Sequence, residues 1–412
     1  MSAGVKKSPL APDAFPALPP VAGVRLAAVE AGVKYHGRDD LMLAVVGEGA
    51  TVAGVLTRSA TAGAPVLWCR RQLQAEHRPC ALLVNAGNAN TFTGEPGARH
   101  VRQTCEAVGA ALGCRPEQVL AASTGVIGEL LPVAPIVGAV PQLAESLAAD
   151  SSAWARAAAA ILTTDTFAKG ATAQAAIAGQ TVTVNGFAKG SGMIEPNMAT
   201  MLAFLFTDAA IARPALQSIL ADANERSFNA ISVDGDTSTS DTCLLFATGR
   251  AADAPAASAD LDDFRRALQA VMTDLAVQVV RDGEGATKLI TVEVCGGEDD
   301  RAAMRIAKSV ANSPLVKTAI AGADANWGRI VMAVGHAGQR VDPARLKIAI
   351  GGVPVTDHGR RIDDFDEAPL NRHLGGDEIL IEVDVGVASG RARVWTCDLT
   401  RGYIDINADY RS

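Results

Sequence analysis

The chain reads as an α/β protein in which mixed sheets are packed between layers of helices. Three observations carry that reading. Short apolar, β-branched runs of strand length recur along the 412 residues. Between them stand segments with helical spacing, the clearest at residues 261–279, where Leu261, Phe264, Leu268, Val271, Met272, Leu275 and Val279 mark one face. The two kinds of segment alternate without a strict βαβ rhythm, without a Gly-x-Gly-x-x-Gly turn and without a P-loop, so a dinucleotide fold is not indicated. A hydrophobic content of 49% over this length fills the cores of two or three ordinary domains.

Taken in order, residues 1–20 are rich in Pro and Ala and read as a loose arm, with structure starting near Val21. Residues 41–46 and 51–57 are apolar runs separated by Gly-Glu-Gly, which suggests a hairpin. Residues 80–84 form a strand, and the Asn/Gly cluster at 85–90 reads as a loop with positive φ values. Helices are expected at 97–112 and 152–162, separated by residues 119–128, in which the Ser123-Thr124-Gly125 step lies just after an apolar strand. Residues 171–177 and 181–187 alternate like a hairpin across Gly179-Gln180. After the strand at 201–206 and a helix at 212–226 comes an Asp/Ser/Thr-rich stretch, 234–242. It lacks EF-hand spacing and a closing Glu, so it reads as a polar turn or a site-lining loop. The long helix is followed by a strand at 288–294, a helix at 300–312 and a mostly β tail at 346–350, 379–385, 392–398 and 403–407.

The charge balance narrows the partners. With 45 acidic against 37 basic residues, the formal net charge is −8, and no Lys/Arg run suggests a nucleic-acid or membrane patch. Seven cysteines lie far apart without Cys-x-x-Cys or paired-His spacing, so they read as reduced core residues and no metal site is expected. Lys6-Lys7 is followed by Ser, Pro and Ala without a sustained apolar run, and no stretch approaches a membrane span. The expectation is a cytoplasmic protein that acts on small molecules.

The chemistry concentrates at residues 189–208. Lys189-Gly-Ser-Gly-Met-Ile-Glu-Pro-Asn-Met-Ala-Thr200 pushes the backbone toward turn geometry and then runs straight into the apolar strand. A threonine hydroxyl acts as a nucleophile only if something takes its proton, and no histidine is near. Were the Ala199–Thr200 bond cut, the new α-amino group, with a pKa of about 7.7–8.0, would be that base. From composition alone the same stretch reads as a turn leading into a core strand with an incidental threonine.

Residues 189–202, Lys-Gly-Ser-Gly-Met-Ile-Glu-Pro-Asn-Met-Ala-Thr-Met-Leu, resemble the self-cleavage signature of the ornithine acetyltransferase family of arginine biosynthesis. The likeness extends from about Gly23 to Ser412. It implies an αββα sandwich, shared with a group of self-processing aminopeptidases. It implies cleavage at Ala199–Thr200 into chains 1–199 and 200–412, with Thr200 the nucleophile that carries acetyl from N2-acetylornithine to glutamate. Acetyl-CoA is possible as a co-substrate, and no cofactor is implied. Thr124 and Gly125 match the oxyanion-hole pair. Lys189, Glu284, Asn407 and Ser412 match substrate-site positions, as does Thr163, although which threonine of residues 163–166 carries the role stays open. Residues 322–329 are also similar, with Ala325 in place of a proline, and no role follows. The resemblance suggests a heterotetramer of two α and two β chains. A self-processed amidase of the same fold and an uncleaved binding protein are the competing readings.

Overall fold

The computed structural model describes residues 6–47, 49–75, 78–195, 201–252, 256–257, 260–363 and 366–409. Strand β1 (Val24–Val29) pairs antiparallel with β2 (Leu41–Val46), but the next strand, β3 (Thr51–Leu56), leaves for another sheet. The expected hairpin is therefore not formed. Leu41 to Ala44 are buried on both faces of β2, and a lone two-stranded ribbon would leave one of those faces wet. Next come α1 (Ala64–Gln74), β4 (Ala81–Asn88), α2 (Gly94–Leu112), β5 (Val119–Val126), α3 (Val133–Glu145) and α4 (Ser151–Ala160). Strand β4 runs four residues past the expected end, so four of the six residues of the Asn/Gly cluster are strand rather than loop, although the expected positive φ values do occur in it, at Gly87 (φ +100°) and Asn90 (φ +47°). Asn85 helps here by donating Nδ2 to Asn88 O and accepting at Oδ1 from Ser123 Oγ, which pairs polar atoms inside a buried strand.

The expected second hairpin is present as β6 (Lys169–Ile177) and β7 (Gln180–Lys189), followed by β8 (Leu202–Thr207), α5 (Arg213–Glu225), β9 (Thr242–Ala247) and α6 (Asp262–Arg281). One sheet has the order β1-β2-β4-β5 and the second β3-β9-β8-β7-β6. Alternation along β8 shows how they stack. Leu202, Phe204 and Phe206 share a core with the first sheet, whereas Ala203 and Leu205 pack with α5 and α6. Strand β9 repeats the pattern with Leu244 and Phe246 against Cys243 and Leu245. Helices α2 and α3 lie on the first sheet, giving the expected αββα layering. Helices α1 and α4 close the edges of that sheet: Trp68 Nε1 donates to Val119 O at 2.8 Å and Arg156 to Ala28 O.

Beyond α6 the chain builds a third core: β10 (Leu289–Gly297), α7 (Asp300–Ala311), α8 (Pro314–Ala321), α9 (Trp327–His336), β11 (Lys347–Ile350), β12 (Val353–Asp357), β13 (Arg360–Arg361), α10 (Glu367–Leu374), β14 (Glu378–Asp384) and β15 (Gly390–Cys397). The six strands form one sheet, β13-β12-β11-β14-β10-β15. The tail strand expected at 403–407 is instead part of helix α11 (Arg401–Asp409), opened by Thr400 Oγ1 accepting from Gly402 N at 3.1 Å. Five alternating residues are also little more than one helical turn. The N-terminal arm is not loose where it is described. Leu10 and Leu18 are buried, and Ser8 donates its hydroxyl to Arg281 O. Four cysteines (69, 105, 243 and 397) are buried and three are half-buried. Among the described residues no helix is long and apolar enough to cross a membrane.

Candidate functional site

Lys189 ends β7 on the face that carries Phe187, so its side chain enters the space between the first two sheets. There Nζ donates to Thr163 Oγ1 at 2.7 Å and to Thr124 Oγ1 at 3.2 Å, and lies 3.7 Å from Asp165 Oδ2. Thr124 and Gly125 belong to the last residues of β5, not to a loop after it. Gly125 has φ +131°, and a Cβ there would stand 2.2 Å from the carbonyl carbon of Gly87 on β4. Only glycine lets the two backbones approach so closely at the end of these parallel strands.

Behind Lys189 lies a chain of buried charges. Lys169 Nζ donates to Asp165 Oδ1 at 2.7 Å and to Asp282 Oδ2 at 2.6 Å, and Asp165 also accepts from Gly190 N at 2.6 Å. Burial alone would raise the Asp165 pKa, but Lys169 and Lys189 together hold it below the usual carboxylate range. Burial, with the neighbouring Asp165 acting the same way, leaves the Asp282 pKa raised despite Lys169. The Lys169 pKa is raised, because its two aspartates outweigh the burial that opposes them. Burial lowers the Lys189 pKa, and Asp165 offsets this in part.

The opposite side is Glu284, in the loop that follows α6. Its amide donates to Ser191 O at 2.9 Å, and its carboxylate accepts from Asn407 Nδ2 at 2.7 Å. Burial raises its pKa, a shift that the Asn407 and Thr164 bonds reduce. Gly192 lies against this carboxylate: a Cβ there would sit 2.6 Å from it, so the Glu284 side chain would have to shift. Within residues 163–166, Thr163 bonds Lys189, Thr164 bonds Ser191, and Thr166 turns away to Asp282.

The approach to residue 196 is pinned from the C-terminal side. Asp234 accepts from Met193 N at 2.6 Å and Ile194 N at 2.8 Å, and Tyr403 donates its hydroxyl to the same carboxylate at 3.3 Å. Glu195 pairs with Lys308 at 3.3 Å and Asn312 at 3.0 Å. Ala199, Thr200 and Ser412 lie outside the described residues. The other expected site residues converge on one cavity of about 310 Å³, lined by Thr124, Gly125, Thr163, Lys189, Glu284 and Asn407, with Met201 also in its wall. A larger groove of about 1270 Å³ runs over the open face of the third sheet and contains none of these groups.

Sequence reasoning gave no role to Asp165 and named Asp234 and Asp241 only as members of a polar stretch. A signal existed for the first, since Lys169 follows Asp165 at i+4 and a buried lysine needs a carboxylate. The stretch 234–242 was open between turn and site lining, and the structure makes it both: Asp234 holds the turn, while Ser238 to Asp241 line the cavity.

The sequence profile of the ArgJ family matches residues 25–412. A Gluconobacter oxydans protein called "Arginine biosynthesis bifunctional protein ArgJ" is 52% identical over 410 residues, covering 98% of this chain and 95% of its own. A Brucella suis protein of the same name is 51% identical over 418 residues, covering 100% of both. A crystal structure of the Bacillus halodurans protein of that name is 43% identical, with a TM-score of 0.49 over 50% of this chain and 98% of that one.

Proposed function

This chain belongs to the ArgJ family, and we propose that it is a self-cleaving glutamate N-acetyltransferase of arginine biosynthesis. The substrates are N2-acetyl-L-ornithine and L-glutamate, and the products L-ornithine and N-acetyl-L-glutamate. The observation that supports this most is convergence: residues from β5, β7, two loops and α11 meet in one cavity whose wall includes Met201, one peptide bond from Thr200.

Maturation comes first. The Thr200 hydroxyl adds to the Ala199 carbonyl, the acyl group moves from nitrogen to oxygen, and water hydrolyses the ester. Chains 1–199 and 200–412 result, and Thr200 gains a free amine. In the first half-reaction that amine takes the Thr200 Oγ proton while Oγ adds to the acetyl carbonyl of acetylornithine. The oxyanion is held by the Gly125 amide and the Thr124 hydroxyl. The Thr124 Oγ1 already accepts from Lys189, so its own hydrogen can point at the oxyanion. When the C–N bond breaks, the proton passes to the leaving ornithine amine. Glutamate then attacks acetyl-Thr200 by the reverse steps, which divides one hard transfer into two.

Lys189 holds a substrate carboxylate and, as a neighbouring cation, lowers the pKa of the Thr200 amine. Glu284 pairs with the ornithine side-chain ammonium, and Asn407 and Ser412 close the site from the tail. The working form is a cytoplasmic heterotetramer of two α and two β chains.

The test supplies acetylornithine with and without glutamate and quantifies ornithine. A transferase releases ornithine catalytically only when glutamate is present. Equal, sustained release without glutamate would mean that water is the acceptor and that the enzyme is an amidase of the same fold.

A further inference from the structure

Asp241 ends the polar stretch before β9, and its side chain is 1% exposed. Strands β8 and β9 run parallel with Leu202 opposite Thr242, and Thr242 N donates to Met201 O at 3.0 Å, so Asp241 stands beside Met201. It lines the same cavity as Lys189 and Thr124. Its carboxyl faces the Met201 amide and the Thr57 and Ser238 side chains, yet neither oxygen has a well-formed hydrogen bond among the described residues. One reason is visible: the Thr57 hydroxyl donates to Ser238 O at 2.9 Å. Burial raises its pKa well above the usual carboxylate range, against smaller opposing effects from Ser238, Thr57, Met201 and Lys189. A buried carboxylate without full pairing reduces stability, so a partner that appears only in the working protein is the natural explanation.

Cleavage at Ala199–Thr200 creates such a partner. Consecutive Cα atoms are about 3.8 Å apart, so the new amine is one residue from the amide that Asp241 already faces. We propose that Asp241 is the positioning residue for the α-amino group of Thr200. Its carboxylate accepts the amine's N–H, aims the nitrogen lone pair at the Thr200 hydroxyl, and stabilises the ammonium that forms when that nitrogen takes the hydroxyl proton. The proton returns to the leaving amine at the end of the half-reaction, and Asp241 itself neither gains nor loses one. The inference rests on the self-cleavage reading above.

The arrangement gives the site three members in a row, a hydroxyl, an amine and a carboxylate, with the carboxylate orienting the base. Two other charges face the same space. Lys189, backed by Asp165, disfavours the ammonium, and Glu284 lies across the cavity. Asp241 and Lys189 thus act on the amine with opposite sign.

The experiment compares wild type, Asp241→Asn and Lys189→Met after maturation, reading fragment pattern, kcat and the acid limb of the kcat–pH profile. Removing the carboxylate lowers the amine pKa, so Asp241→Asn is expected to be cut, to lose kcat by roughly a hundredfold, the low end of what a positioned acid–base group contributes, and to move its acid limb to lower pH. Acetylornithine KM should change little. A cut Asp241→Asn enzyme with wild-type kcat and an unmoved limb overturns the proposal, and so does an uncut one that still melts cooperatively, because the amine does not exist before the cut. Wild type that is itself never cut defeats the self-cleavage reading instead. A thermal melt in the Thr200→Ala background gives a second readout. There no amine forms, and Asp241→Asn should raise Tm; a fall would mark Asp241 as structural and overturn the proposal even if the single variant does not fold.

Discussion

On one side of the cavity Lys189 stands on a run of buried charges, Asp165, Lys169 and Asp282, each bonded to the next. On the other, Asp241 is as deeply buried and has no such bond among the described residues. The paired side behaves as scaffold: it fixes where Lys189 Nζ sits and keeps Thr163 and Gly190 against it. The Asp241 carboxyl lies against the Met201 amide and the Thr57 and Ser238 side chains without a well-formed bond to any of them, which leaves lone pairs for whatever enters the cavity. Buried charges on the same cleft therefore serve two ends, and pairing distinguishes them.

Breaking the paired side should have the largest effect. Asp165→Asn strips a carboxylate from two lysines, and leaving a buried charge uncompensated costs about 3–5 kcal/mol. A denaturant melt of the Thr200→Ala precursor, which separates folding from cleavage, should show that loss; a change under about 1 kcal/mol would mean the network is not the scaffold.

Thr124→Val keeps the shape of the β5 end and removes a hydroxyl. If that hydroxyl serves the oxyanion, kcat falls by about 10²–10³ in protein that folds normally. Retention of more than a tenth of kcat would place the oxyanion elsewhere.

Asn407→Ala removes the bond to Glu284 but leaves residues 189–195 untouched. The variant should still be cut, and its kcat/KM for acetylornithine should drop by about 1.5–3 kcal/mol, the worth of a hydrogen bond to a charged group. Unchanged kcat/KM would make α11 an ornament of the fold.

The smallest expected change is a shift in pH dependence. The rate rises as the Thr200 amine loses its proton, and a neighbouring cation makes that loss easier. Lys189→Met should therefore raise the amine pKa and move the acid limb of kcat to higher pH, the reverse of Asp241→Asn. Shifts of the same sign in both variants would break the comparison between the two sides.

Strands and helices with strong periodicity were legible in the sequence, among them β8, α5 and α6, as was the αββα layering through the resemblance. Helix α3 was not, because Pro141 sits inside it and argues against a helix that tertiary packing of Ile136, Val140 and Leu143 nevertheless imposes. Helices α8 and α10 span eight residues each, about two turns, too short for a period to emerge. The pairing of β2 and β3 was misjudged since sheet membership depends on what covers each face, which local sequence does not record. Motif and resemblance singled out Thr124, Gly125, Thr163, Lys189, Glu284 and Asn407, and these residues line one cavity. Asp165 and Asp241 were not singled out, because their meaning lies in burial and in contacts made over long sequence separations.

The central claim is that Thr200 is freed by the chain itself and then carries the acetyl group. Intact mass spectrometry of purified wild type and Thr200→Ala, before and after incubation with acetylornithine in the absence of glutamate, tests it most directly. Wild type should appear as two fragments, the second beginning Thr-Met-Leu-Ala and gaining one acetyl group that glutamate removes, while Thr200→Ala stays in one piece. A fully cut Thr200→Ala protein, or a cut wild type that turns over without ever holding acetyl on the second fragment, would contradict the account.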